Sequence, residues 1–332
     1  MSNQNPFIKT MRRVFVDEGG RLRSGWRLLI FVVAFLITGA FLITLIRLAL
    51  SAALVYTTTD ADEVLDMGWG YVVQGFVMLA AATLVGWACG RWLEGLPWSA
   101  VGWTRHHGWL RDLLVGSVLG ACGLMLAALL ATAAGGFRFA FAPTDALFAI
   151  AQTAVVAALI FVLSAAAGEA AFRGYPLQTL LRSLPAWAAL IPSSLLFASI
   201  HLMNPNVARG FTFINTVLAG IWLAVAYVRT RSLWFPLGLH WSWNWTMGAL
   251  LGLPVSGITE VAPAPLLRAT DFGPAWLTGG SYGLEGGLAC TLALVISTLF
   301  ISRTSLVSKT DERQEAKDMQ KEEQPVAHLN AD

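Results

Sequence analysis

Charge is what this chain is poorest in. Asp, Glu, Lys and Arg make up 13% of its 332 residues, against 56% hydrophobic, and the mean hydropathy is +0.62. A soluble domain carries roughly a quarter charged residues. The composition therefore excludes an ordinary water-soluble globule and indicates an integral membrane protein. Cysteine is scarce as well: Cys89, Cys122 and Cys290 lie far apart in apolar runs, with no C-x-x-C pair. That argues against a disulfide framework and leaves the three as small packing groups. There is no basic stripe and no interleaved aromatic-basic segment, so nucleic acid is not an expected partner. Period-two alternation is missing too, which favours helices over a membrane barrel.

Long apolar runs are what the chain has instead. A helix needs about 20 apolar residues to cross the hydrocarbon, and the runs near 27–50, 69–90, 113–134, 147–171, 186–203, 211–228, 233–252 and 283–302 qualify. The first is too long for a signal-peptide core and reads as a retained span. The expected fold is an all-α integral membrane protein of about eight transmembrane helices. Lys9, Arg12, Arg13, Arg21, Arg23 and Arg27 precede the first span, whereas the next connection, T-T-T-D-A-D-E-V-L-D-M-G, has four acids and no Lys or Arg. Arg91, Arg105 and Arg111 follow, then a loop with only Arg138, then Arg182, then Arg229 with Arg231, and a Lys-rich tail. This alternation puts both termini and every even-numbered connection in the cytoplasm. Arg47 is expected to snorkel outward from the first span, and Glu285 to sit at the interface where the last begins.

The expected organisation is a basic cytoplasmic segment over 1–26, transmembrane helices over 27–146, and a core over 147–255. An outer loop with the last helix follows over 256–302, then a charged, disordered tail over 303–332. Residues 91–112 hold four tryptophans among charges, which suits a connector at headgroup level rather than a metal site at His106 and His107.

The informative residues are the few polar groups inside apolar sequence: Glu169 and Arg173 in G-E-A-A-F-R-G-Y, His201 in F-A-S-I-H, and His240 and Asn244 in H-W-S-W-N. Ionisable groups in hydrocarbon are costly and are read first as functional, each meeting a partner. Glu169 and Arg173 are four apart and share a helix face, as do His240 and Asn244. Glu169 and His201 each lie 16 residues from Pro185, which puts them at similar depth on two antiparallel helices, about 24 Å from the turn at 1.5 Å per residue. A buried ion pair joining two helices, or a satisfied interior histidine, would account for parts of this set. The whole set can do more. A desolvated carboxylate beside a neutral imidazole can deprotonate a water. A second imidazole and an amide can donate to the oxyanion of a tetrahedral intermediate. The same Glu169, His201 and His240 could alternatively ligate zinc, although there is no H-E-x-x-H and Asn244 is a poor fourth ligand. No cofactor is expected.

The ordered set E-x-x-x-R with F-R-G-Y-P-L-Q, then F-x-x-x-H, then N-T-V-L-A-G, then L-G-L-H-W-S-W-N resembles the CPBP family over about residues 150–255. That family comprises CAAX-type prenyl endopeptidases and bacteriocin-processing or Abi proteins, also described as intramembrane glutamic proteases. The resemblance implies catalytic roles for Glu169, His201, His240 and Asn244, and supporting roles for Arg173 and Phe197. It also implies a lipidated peptide or membrane-associated propeptide as substrate, and a multi-pass location in a bacterial cytoplasmic membrane. The family motif is E-E-x-x-x-R, and here Gly168 stands where its first, water-activating glutamate would be. Adjacent helical residues point about 100° apart, so Glu169 takes over that role only if a bend at Gly168 reorients it.

Three functions follow in order. The first is an intramembrane endopeptidase that hydrolyses a peptide bond with a Glu/His-activated water. The second is a catalytically impaired relative that binds membrane peptides in regulation or immunity. The third is a transporter, disfavoured because the ionisable groups cluster on the fourth, fifth and seventh spans instead of lining a route from side to side.

Overall fold

The computed structural model describes residues 14–17, 19–55, 60–66, 68–207 and 210–306. Most of the basic N-terminal segment and the tail from 307 onward lie outside the described residues.

Helices occupy each of the long apolar stretches, because in a lipid environment every backbone N–H and C=O must find a partner within its own segment. In chain order they are α1 (Ser24–Ala53), the short α2 (Ala61–Asp66), α3 (Gly68–Cys89), α4 (Trp109–Ala133), α5 (Leu147–Phe172) and the short α6 (Tyr175–Leu181). Then come α7 (Ala186–His201), α8 (Phe211–Thr230), α9 (Trp234–Trp245), the single-turn α10 (Ala275–Thr278) and α11 (Leu288–Arg303). Five segments are long and apolar enough to cross a membrane: Ser24–Ala53, Gly68–Glu94, Trp109–Ala133, Thr144–Leu181 and Phe211–Thr230; Ala186–His201 and Leu288–Arg303 are shorter apolar helices. The chain is a mostly helical, multi-pass membrane protein.

Two features depart from the sequence expectation. The fold is not purely α: β1 (Phe137–Phe141) and β2 (Leu267–Asp271) pair antiparallel, from Phe137 opposite Asp271 to Phe141 opposite Leu267. Each strand lies in a connection, and only the tertiary fold brings the two connections together. The last helix starts at Leu288, not near 283, because Gly279, Gly280 and Gly283 all adopt positive φ and turn the chain just before it.

Opposite ends of the helices have opposite characters. At one, here called the basic end, the buried Glu94 accepts from Arg182 Nε at 2.7 Å and Nη2 at 2.8 Å and also pairs with the buried Arg27. Three connected segments, the start of α1, the end of the α3 span and the turn after α6, are thereby pinned together. At the other end lie the β1–β2 pair and an exposed Arg47–Asp62 contact of 3.1 Å. The Asn204 and Asn206 side chains there donate to the Ser256 and Gly257 carbonyls.

Close packing of α4 on α9 fixes the site. A Cβ at Gly116 or Gly120 would overlap the carbonyls of Phe235 or Leu239, and one at Gly238 the carbonyl of Leu113. The G-S-V-L-G spacing of 116–120 is the small-residue pattern that lets membrane helices bring their backbones together. Trp241 Nε1 then donates to Ser117 Oγ at 2.9 Å, which sets the rotation of α9. Gly174 breaks α5 from α6, its N–H donating to Glu169 O at 2.9 Å, and Pro176 occupies the first turn of α6, where a missing N–H is harmless.

Gly120→Leu is expected to lower the melting temperature strongly in detergent, reflecting the 1–3 kcal/mol or more that overpacking costs. Gly25→Ala in α1, where a Cβ meets nothing within 4 Å, should leave it unchanged or raise it. Equal behaviour of the two variants would contradict the α4–α9 contact.

Candidate active site

Glu169 is fully buried on the last turns of α5. One of its oxygens, Oε1, meets His240 Nδ1 at 2.8 Å and Arg173 Nη1 at 3.4 Å. Arg173, also fully buried, donates through Nη2 to the Gly220 carbonyl at 2.9 Å, and its guanidinium lies 4.6 Å from the Phe197 ring centre. That carbonyl is reached because α7 and α8 run close together at Gly220, where a Cβ would press on Ser194. The carboxylate thus ties α5 to α9 directly and to α8 through Arg173.

Phe197 is the hub between the histidines. Its ring centre is 4.3 Å from that of His201, 6.1 Å from His240 and 5.2 Å from Phe172. His201 Nδ1 lies 2.8 Å from the Phe197 carbonyl. A carbonyl only accepts, so Nδ1 carries the hydrogen, and in the neutral ring the lone pair falls on Nε2. The same logic at His240 makes Nδ1–H the donor to a carboxylate, with Nε2 left for the cavity.

That cavity has a volume of about 520 Å³ and is lined by His201, His240, Asn244 and Gly168 among mostly apolar walls. Among the described residues no hydrogen bond engages the Asn244 amide. Glu169 and Arg173 lie behind the wall, with no exposed surface, and no hydrogen bond joins Glu169 to His201 among the described residues. Glu169 therefore reaches the cavity only through His240, and Arg173 has no route to a ligand carboxylate. A Cβ on Gly168 would come 3.4 Å from His240 Cε1, so one would rest in ordinary contact on the imidazole. Among the described residues no group of three His, Cys, Asp or Glu is gathered to hold a metal ion, and Glu169 is turned towards Arg173 and His240 instead of towards His201.

One polar group escaped the sequence reading. Glu285, expected at the interface, lines the same cavity. It accepts from Trp243 Nε1 at 3.1 Å and from the Ser256 N–H and hydroxyl, both at 2.7 Å. Ser256 has φ +50°, so the carboxylate holds a strained turn of the outer loop against the cavity. The rule that singled out Glu169, an acid inside apolar sequence, would have singled out Glu285 had the last helix not been started two residues before it. Asn215 braces the same corner, donating to the Glu285 and Gly287 carbonyls at 2.8 Å each.

Glu169→Ala is expected to destabilise the protein by about 3 kcal/mol or more, because it strands the buried Arg173. Glu169→Ala combined with Arg173→Met should recover part of that loss in a detergent unfolding titration. Wild-type stability of the single variant would show that the pair is not buried as described.

No curated protein matches the chain. Residues 150–246 match the family described as type II CAAX prenyl endopeptidase Rce1-like, a protease family. The matched segment runs from the start of α5 past the end of α9 and holds Glu169, Arg173, Phe197, His201, His240 and Asn244. Over that segment the chain is similar to the CPBP family of CAAX-protease-like membrane proteins.

Proposed function

We propose that the protein is an intramembrane endopeptidase that hydrolyses a peptide bond of a membrane-associated or prenylated peptide. The observation that supports this most is one cavity into which two imidazoles and an unengaged amide open, with a buried carboxylate behind one imidazole. In this reading the water-activating role moves from the missing glutamate to His201. Its Nε2 lone pair takes a proton from a water whose oxygen attacks the scissile carbonyl carbon. The oxyanion so formed accepts from His240 Nε2–H and the Asn244 amide. Glu169 holds His240 Nδ1–H and offsets the positive charge of its doubly protonated ring, a carboxylate–imidazole relation familiar from hydrolytic triads. When the intermediate collapses, the departing amine takes the proton back from His201. Arg173 and Phe197 position Glu169 and both rings.

The proposal extends to the membrane. Eight segments cross it, with the basic end and both termini in the cytoplasm, which accords with the positive-inside rule. The shorter α7 and α11, and α9 with its π turn Thr246–Leu250, complete the count.

A second reading is favoured by Gly168 and by the withdrawal of Glu169 from the cavity wall. In it the protein binds membrane peptides without cutting them, as a regulatory or immunity relative.

Mass spectrometry of a pool of prenylated and plain membrane peptides, incubated with protein in lipid, separates the two. The peptidase reading expects cleavage by the wild type, a fall of about 10²–10⁴-fold in His201→Ala and about 10²–10³-fold in Asn244→Ala. If the wild type is silent and Gly168→Glu cleaves, the binding reading holds.

A further inference from the structure

A second concavity lies on a different face of α3 and α5, outside the matched site chemistry. It is a groove of about 550 Å³, within the roughly 300–1,000 Å³ of ligand sites. Phe76, Leu79, Ala80, Thr83 and Leu84 of α3 form one wall, apolar except for the Thr83 hydroxyl, over about 12 Å of helix. Ala166 of α5 and Leu237 of α9 form the floor. Phe76 and Leu84 are more than half exposed, so the groove opens sideways, where the bilayer would be.

Its basic end is differently built. Trp103 and Trp234 line it, with Arg105 beyond them. The connector bearing Arg105 is fixed there: Leu233 N–H donates to Gly102 O at 3.1 Å and Trp234 Nε1 to Thr104 O at 3.1 Å. The rings of Trp103 and Trp109 pack on Trp234 with centres 5.3 and 4.8 Å apart, and the Arg105 guanidinium lies 5.6 Å above Trp109. Arg105 is exposed, and no carboxylate pairs with it among the described residues. The groove thus has a largely apolar trough along α3, indole rings at its basic end and an exposed cation at the mouth that meets no carboxylate among the described residues. A peptide would leave its backbone polar groups unmatched along such walls, whereas an acyl chain has none.

We propose that this groove is a binding site for one anionic glycerophospholipid, its acyl chain along α3 and its phosphate on Arg105. A basic side chain beside the end of a membrane helix attracts an anionic headgroup. Ala166 and Leu237 precede Glu169 and His240 by three residues each, so the bound chain packs against the turns that carry the hydrogen-bonded Glu169–His240 pair. The site does not depend on whether the protein is a peptidase.

The test is native mass spectrometry of delipidated protein in detergent with phosphatidylglycerol or phosphatidylcholine of matched chains, alongside melting temperatures. The wild type is expected to retain one phosphatidylglycerol about tenfold more tightly than phosphatidylcholine and to melt higher with it. Arg105→Gln should erase the preference, and Ala80→Trp, which fills the trough, should abolish retention of both lipids. Equal retention of the two lipids by the wild type would overturn the proposal, as would an undiminished preference in Arg105→Gln. Arg105 is exposed, so its variant gives an answer even if Ala80→Trp does not fold.

Discussion

A carboxylate with no exposed surface in an apolar bundle must be met by donors, and the arrangement of the central helices follows from how Glu169 is met. Arg173 and His240 converge on the same oxygen. Arg173 is itself fully buried, so its remaining donors need acceptors, and the Gly220 carbonyl supplies one. Removing Glu169 or Arg173 leaves the other as an uncompensated charge in a medium where that is expensive. The set therefore specifies which helices are neighbours as much as it stabilises them. Phe197, packed beneath the guanidinium and against both imidazoles, converts that polar set into a fixed separation between the two rings.

Backbone proximity does the rest. Apolar side chains gain nothing by leaving lipid for a neighbouring helix, so association in membranes relies on close packing and on hydrogen bonds between helices. Gly116, Gly120 and Gly238 let α4 and α9 approach, and the Trp241–Ser117 bond fixes their rotation. His240 is thus aimed by α4 from behind and held by Glu169 from the side. At the far end of the cavity Glu285 performs a comparable service for the loop at Ser256, with three donors on one carboxylate.

Gly168 changes how these parts divide the work. With a glutamate there, α5 would turn an acid towards the cavity; without one, its only acid is Glu169, turned away to His240. The groups left facing the cavity beside Gly168 are imidazoles and an amide, whose tautomers are set by what lies behind them. His201 is set by the Phe197 carbonyl and His240 by a carboxylate. The proposed chemistry uses the Nε2 that each bond leaves for the cavity, as a base on His201 and, once His240 carries a second proton, as a donor there.

By itself the sequence determined where most of the helices lie and which polar groups sit inside apolar sequence, because both follow from the cost of placing polarity in hydrocarbon, a property of composition along the chain. Glu169, Arg173, His201, His240 and Asn244 could be read that way, and so could the basic end. Only the tertiary structure decided which nitrogen meets which oxygen, that Glu169 stands behind the cavity wall, that Glu285 stands in it, and that two distant connections pair as strands. The reason is that core and lipid are equally apolar here. A transmembrane helix then carries little periodic signal of which face turns inward, and the inward face is fixed only when glycines, indoles and buried charges from remote segments meet.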